Sequence, residues 1–189
     1  MMNWKKPAVA VSAAGVILIS VFEGYSPKAT QPLPGDKWTV GFGHTEAVTP
    51  GETVNLEQAF KILKTDVARA ERTVKAHVTY PVNQNQFDAL VSLVFNIGSV
   101  AFVKSTLLKE LNAGHLDAVA KEWMRWRYFK GQVIDGLEKR RALELAVFRG
   151  RKVESVTGST VCYSAGHCYD FGDLLASAVS EPDSAECEP

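Results

Sequence analysis

Residues 22–45 read FEGYSPKATQPLPGDKWTVGFGHT, and this stretch separates two kinds of sequence pattern. An uncharged apolar run precedes it, and helical patterns follow it. Within it, Pro34-Gly35 is a turn signal, and residues 38–43 alternate between large apolar and small or polar side chains. A turn followed by period-two alternation predicts a short strand or a hairpin.

Downstream of residue 50, polar residues at capping positions mark the helix starts. Asn55 with Gln58 has the spacing of an N-cap and its capping partner, and Asn83 with Gln86 repeats it. Three further helices are predicted: from Ser105 to a stop near Gly114, from Asp117 to Arg127 with Trp123 and Trp126 in the core, and from Asp135, capped with Glu138, to Phe148. The expected fold class is therefore α+β, with a small β-hairpin lobe and a mainly helical bundle.

The composition fits one folded domain followed by a different kind of segment. The chain has 189 residues, 46% of them hydrophobic, with 21 basic and 21 acidic side chains. A net charge of zero argues against a nucleic-acid partner bound through bulk charge. Residues 151–189 hold two basic and seven acidic side chains, and they are predicted to be an acidic appendage to a domain that spans residues 12–150.

All three cysteines lie near the C-terminus, at positions 162, 168 and 187. Cys162 and Cys168 are close enough in sequence to close a short loop by a disulfide in an oxidising compartment, which would leave Cys187 over. No Cys or His spacing suggests zinc, so no metal site is expected.

Residues 1–22 combine two early lysines with an uncharged apolar run. Lys5 and Lys6 precede residues 7–22, which as a helix would span roughly 24 Å, less than the roughly 30 Å hydrocarbon core of a bilayer. This pattern predicts an uncleaved export signal that is held weakly in the membrane and merges into the first helix. The alternative is an ordinary first helix whose core face includes residues 16–18 and 21–22.

Two carboxyl groups flank the turn-rich stretch. Glu23 ends the apolar run, where partial burial would favour its protonated form and suit it to donate a proton. Asp36 follows the turn and stands three residues before Thr39, where a carboxylate and a hydroxyl could together orient a water. Two carboxyls on either side of a bond are the catalytic groups of a glycosidase. Spacing alone leaves open that both are ordinary surface acids.

Several motifs resemble those of the bacteriophage-type lysozymes, glycoside hydrolase family 24. They are FEGY at 22–25, WTVGFGHT at 38–45, FDAL at 87–90, FNIG at 95–98, FVKSTLLKEL at 102–111, and GLEKRR at 136–141 with Glu144. The resemblance covers about residues 12–150 and implies a lysozyme-like fold. It also implies hydrolysis of the β-1,4 bond between N-acetylmuramic acid and N-acetylglucosamine in peptidoglycan, as in an endolysin that lyses its host.

The resemblance implies catalytic roles for particular residues. Glu23 matches the general acid, and Thr39 matches the threonine near the attacking water. The family's second carboxylate has no direct counterpart, because Pro32 stands where the usual spacing would put an aspartate. We expect the Pro-rich stretch to bring Asp36 into that role.

Other matched positions have binding or structural roles in the resemblance. Thr45, Phe95 and Ser105 match positions associated with substrate binding in the sugar cleft. His44 is expected to be a structural partner, and the arginines at 140 and 141 are expected to pair with acids rather than to face the polymer.

The implied partner is peptidoglycan, bound by a monomer that needs no cofactor. An endolysin of the signal-anchor-release kind would associate transiently with the host bacterial inner membrane and then act in the periplasm. Two alternatives stay open. One is a lytic transglycosylase that relies on Glu23 alone, and the other is a catalytically inactive cell-wall-binding protein, which Pro32 would explain.

Overall fold

The structure, a computed structural model, describes residues 10–31, 33, 35–163 and 166–179. Its helices and strands, in chain order, are α1 (Ala13–Glu23), β1 (Ser26–Thr30), β2 (Thr39–Gly41), α2 (Leu56–His77), α3 (Gln84–Ile97), α4 (Ser99–Val103), α5 (Thr106–Asn112), α6 (Leu116–Met124), β3 (Tyr128–Phe129), β4 (Gln132–Val133), α7 (Asp135–Phe148), α8 (Val153–Thr157), β5 (Thr160–Cys162), β6 (Cys168–Asp170) and α9 (Phe171–Val179). The predicted α+β class, with a small β lobe and a mainly helical body, is confirmed.

The β lobe is an antiparallel pair in which Ser26 lies opposite Gly41 and Thr30 opposite Thr39. The alternation around β2 has the expected consequence, because Val40 and Phe42 are buried in the core. Gly41 has a φ of +64°, and a Cβ there would lie 3.2 Å from that of Ala59 on α2. Glycine at this position therefore lets the β lobe pack closely against the long helix.

The helix starts agree with the capping prediction at three of four sites. Asn55 and Asn83 each form a complete capping box, and Ser105 caps α5 by accepting a hydrogen bond from the backbone of Leu108. Asp135 is not a cap, and that prediction is wrong. It is the first residue of α7, and Ile134 occupies the N-cap. The backbone N–H of Ile134 donates to the carbonyl of Arg127, the residue directly before β3, so the β3–β4 hairpin fixes where the helix begins.

Helix α1 lies in the middle of the core. Residues 16–19 are four consecutive apolar positions with no exposed surface, so the helix is covered on every side. Its N-terminus is capped by Ser12, whose hydroxyl accepts from the N–H of Gly15 and donates to the buried carboxylate of Asp88 on α3. Among the described residues, no helix combines the length and hydropathy needed to cross a bilayer.

The C-terminal residues pack differently from the sequence-based expectation of an appendage. Within the described part of 151–179, buried side chains join the same core as α1, and they are Val153, Val161, Tyr163, Phe171, Leu174 and Ala178. Cys162 and Cys168 form a disulfide across the β5–β6 hairpin. The physical reason for the difference is that apolar residues are interspersed among the Ser, Gly and acidic residues, and α1 offers them a surface to cover. Cys187 and the rest of 180–189 lie outside the described residues.

Candidate active site

Glu23 is the last residue of α1, and its carboxylate stands at the edge of the helical core. Gly24, with a φ of +71°, ends the helix directly after it and turns the chain toward β1. The side chain is 24% exposed, and its Oε1 accepts a hydrogen bond of 2.8 Å from Nη1 of Arg140 on α7. The surroundings of Glu23 therefore include a hydrogen-bonded ion pair with an arginine, in addition to the partial burial that the sequence suggested.

Arg140 is itself held in place by groups beneath Glu23. Its Nε donates to Oε1 of Glu144 at 3.1 Å, and its guanidinium lies 4.9 Å from the centre of the Phe22 ring. The Arg140 side chain is only 5% exposed. The guanidinium therefore presents one edge to Glu23 from a rigid, largely dry position.

Glu144 is the centre of a fully buried polar network. Its carboxylate accepts from the Ser92 hydroxyl at 2.7 Å and from the Trp123 indole N–H at 3.2 Å, and its Oε2 lies 2.9 Å from Nε of Arg141. Arginines 140 and 141 are four and three residues before Glu144, so one face of α7 brings all three charges together. Burial lowers the pKa of Arg141 to about 10.

The charges of this network balance when Glu23 is counted. Two arginines face two carboxylates, and Arg141 also donates to the Asn96 side chain at 3.0 Å. Buried charges are tolerated when they are paired and hydrogen-bonded. The structure therefore confirms the expectation that both arginines pair with acids. The sequence did not reveal that Trp123 and Ser92 donate to the same acid, and the only signal was a serine inside the apolar run of α3.

The acid and hydroxyl of the β lobe lie in a more open setting. Asp36 is exposed in the β1–β2 loop, where its backbone N–H donates to the Leu33 carbonyl at 3.0 Å and its carbonyl accepts from the Gln31 side chain at 2.6 Å. Its carboxylate makes no hydrogen bond or ion pair with any described residue. Asp36 is held in the turn through its own backbone N–H and carbonyl, so its carboxylate is not used in these contacts. Pro32 and Pro34 lie outside the described residues.

Thr39 begins β2 opposite Thr30. Its hydroxyl donates to the Thr30 carbonyl at 3.3 Å and lies 3.4 Å from the Thr30 hydroxyl. The side chain is partly exposed, so an oxygen of this hydroxyl pair can still meet water.

His44 and Thr45 follow the β lobe and differ in their surroundings. Nδ1 of His44 lies 3.0 Å from the Asp66 carboxylate on α2, and the backbones of His44 and Val40 exchange two hydrogen bonds of 3.0 Å. This is the structural partnership expected of His44. Thr45 is exposed and contributes to neither of the two cavities described next.

Two neighbouring cavities contain the other predicted substrate-binding positions. Phe95 lines an open cavity of about 580 Å³, and Ser105 lines one of about 340 Å³. Both cavities share Lys104, and the first also contains Arg69 and the second Arg125. The Ser105 hydroxyl is already occupied, since it donates to the Phe102 carbonyl at 2.6 Å and accepts from Leu108 at 3.1 Å. Neither cavity is lined by Glu23, Asp36 or Thr39.

The fold, a small β lobe against a mainly helical body, is that of the lysozyme-like class of glycoside hydrolases. Comparison with known proteins specifies the family. Residues 20–144 match the phage lysozyme family. An endolysin of Acyrthosiphon pisum secondary endosymbiont phage 1 is 41% identical over 142 residues, which cover 73% of this chain and 97% of that protein. The SAR-endolysin of Enterobacteria phage P21 is 32% identical over 151 residues, covering 74% and 92%.

Solved structures agree with the sequence relatives. The muramidase domain of SpmX from Asticaccaulis excentricus superposes with a TM-score of 0.69 at 40% identity, covering 75% of this chain and 99% of that domain. The chain therefore belongs to the phage lysozyme family. It is a lysozyme hydrolase of the endolysin type, and peptidoglycan is its substrate.

Proposed function

We propose that Glu23 is the general acid in hydrolysis of the β-1,4 bond between N-acetylmuramic acid and N-acetylglucosamine, with Asp36 and Thr39 positioning the attacking water. The observation that carries this proposal is the attachment of Glu23 to a neutralised, buried network through Arg140. A catalytic acid must be held within a fraction of an ångström of its working position, and such a network supplies that rigidity.

The reaction balances with these groups alone. Glu23 takes up a proton from solvent before the reaction and gives it to the glycosidic oxygen as the bond to the muramic acid C1 breaks. A water then attacks the oxocarbenium-like carbon, and its proton passes to the Asp36 carboxylate. The products are a reducing-end muramic acid and a free hydroxyl on the departing sugar. The Thr39 hydroxyl donates to the Thr30 carbonyl, so its oxygen can accept a hydrogen bond from the water and orient it.

A lytic transglycosylase is the second candidate, and the exposure of Asp36 favours it. Such an enzyme needs one acid, because the 6-hydroxyl of the muramic acid attacks C1 in place of water. Digests of purified peptidoglycan by wild type, Glu23→Gln and Asp36→Asn, analysed by mass spectrometry, separate the candidates. Hydrated products that fall strongly in both variants support the two-carboxylate mechanism. Anhydro products with Asp36→Asn still active support the transglycosylase, and no products from wild type support a wall-binding protein.

The N-terminal segment is proposed to hold the chain in the host inner membrane before release to the periplasm. The similarity to a SAR-endolysin and the apolar run that leads directly into Glu23 support this proposal. Residues 16–19 are buried in the folded domain, so they cannot also contact lipid while the domain has this fold. Membrane-bound protein is therefore expected to be inactive. Full muralytic activity in washed membranes, with the segment still embedded, would contradict this coupling.

A further inference from the structure

The C-terminal residues that cover α1 lie beyond the family match, which ends at residue 144. One of their side chains, Tyr163, reaches the turn of α1 that carries Glu23. Its hydroxyl lies 2.7 Å from the hydroxyl of Ser20, three residues before Glu23, and both groups are buried. The Ser20 hydroxyl donates its single hydrogen to the Ile17 carbonyl at 2.8 Å, so Tyr163 must be the donor to Ser20.

The ring of Tyr163 contacts the chain on the other side of Glu23 as well. Its centre lies 6.2 Å from the ring of Tyr25, two residues after Glu23, and 5.4 Å from the ring of Phe42. Phe42 directly follows β2, the strand that begins at Thr39. Tyr163 thus touches the residues before Glu23, the residues after it, and the β lobe that carries the other proposed catalytic groups.

The position of Tyr163 is fixed by its own hairpin. It follows Cys162 directly, and the Cys162–Cys168 disulfide closes the loop that contains it. Its backbone N–H donates to the His167 carbonyl at 2.8 Å, which continues the ladder of β5 and β6. The side chain is 4% exposed, so it has little room to adopt another rotamer.

We infer that Tyr163 is a positioning residue for catalysis: the C-terminal segment uses it to fix the end of α1, and hence Glu23, relative to the β lobe. The inference rests on the proposed role of Glu23. Tyr163 itself touches no substrate and acts through Ser20, Tyr25 and Phe42. Arg140 on α7 holds the Glu23 carboxylate, while Tyr163 contacts Ser20 and Tyr25, which precede and follow Glu23 in the chain. Displacement of a catalytic group by about 1 Å can cost about 10²-fold in rate.

The test compares Tyr163→Leu and Tyr163→Phe with Leu174→Ala, which removes a fully buried side chain from α9 and serves as the control for lost packing. All are assayed on peptidoglycan well below their melting temperatures. Tyr163→Leu is expected to lower kcat about tenfold or more with little change in KM, because Tyr163 lines neither of the two cavities that contain Phe95 and Ser105. Tyr163→Phe, which keeps the ring contacts, should restore most of kcat.

Two results would overturn the inference. One is a kcat for Tyr163→Leu equal to that of Leu174→Ala at a matched loss of thermal stability, which would make Tyr163 an ordinary core residue. The other is a loss confined to KM. Glu23→Gln is assayed in parallel, and if it stays active the proposed role of Glu23 fails, whatever Tyr163 does.

Discussion

The two carboxylates proposed for catalysis differ in how firmly the fold holds them. Glu23 is fixed by Arg140 from a buried network, whereas the Asp36 carboxylate projects from an exposed loop without a partner among the described residues. One side of the site is therefore rigid before substrate binds, and the other depends on a turn and on the substrate itself. This division suits a reaction in which the acid must meet one oxygen and the second group need only direct a water.

Glu23→Gln is expected to have the largest effect on activity. The amide keeps the shape of the side chain and can still meet Arg140, but it cannot donate a proton, so muropeptide release should fall by about 10³-fold or more. Glu46→Gln, an exposed acid near the end of the β lobe, is the matched control and should keep wild-type activity. Retention of a tenth of the activity by Glu23→Gln would remove Glu23 from the acid role.

Glu144→Gln tests how much the buried network that holds Glu23 contributes to the stability of the fold. Removing this buried charge leaves Arg140 and Arg141 with a single carboxylate between them, which should lower the free energy of unfolding by about 3–5 kcal/mol. Glu138→Gln is the control, because Glu138 pairs with Arg127 at the surface and should cost less than about 1 kcal/mol. Denaturant titration measures both. Equal losses in the two variants would mean that the network does not stabilise this side.

Asp36→Asn tests the exposed carboxylate of the β1–β2 loop. The change should lower activity while leaving stability almost unchanged. Muropeptide release is expected to fall by about 10²-fold, while the free energy of unfolding should change by less than about 0.5 kcal/mol, because no described residue depends on this carboxylate. The same two assays measure both quantities. A stability loss comparable to that of Glu144→Gln would show that the loop is as tightly held as the helical side.

The sequence predicted those parts of the fold that depend on local rules. The capping boxes at Asn55 and Asn83 and the alternation around Val40 follow from residues within a few positions of one another, and the structure has them. Asp135 failed as a cap because the hairpin before α7 decides how the chain enters that helix. The two strands of that hairpin, β3 and β4, have only two residues each, which is too short for a recognisable sequence pattern.

The sequence singled out Glu23 and the pairing of the arginines with acids, but it did not reveal the contacts that hold these residues in place. The motif around Glu23 indicated an acid, and the pairing of arginines with acids was expected. These contacts join residues far apart in the chain: 52 positions separate Ser92 from Glu144 in the buried network, and 143 separate Ser20 from Tyr163. Such contacts depend on how helices pack, and no pattern within one helix reports them. The sequence therefore also missed that the described residues of 151–179 cover α1.

The smallest expected effect on stability concerns Asp88, the residue of α3 that contacts Ser12 at the start of α1. Burial, helped by nearby Glu71, raises the pKa of this carboxyl above its usual range, although hydrogen bonds from Ser12 and Gln84 lower it. An acid whose pKa is higher in the folded chain stabilises the fold below its unfolded pKa, and this contribution is lost as the pH rises through the folded pKa.

Asp88→Asn removes the cost of burying the ionised form, while its oxygen can still accept from Gln84 and the Ser12 N–H. Its amide can donate to the Ser12 hydroxyl. At pH 7 the variant should therefore be more stable than wild type by up to about 1 kcal/mol, with a smaller difference near pH 4, because the raised pKa leaves more of wild-type Asp88 protonated at the lower pH. Thermal unfolding at both pH values measures this. A difference that is larger at pH 4 would mean that the charge of Asp88 stabilises the start of α1, and both ends of the helix would then rely on ionic contacts.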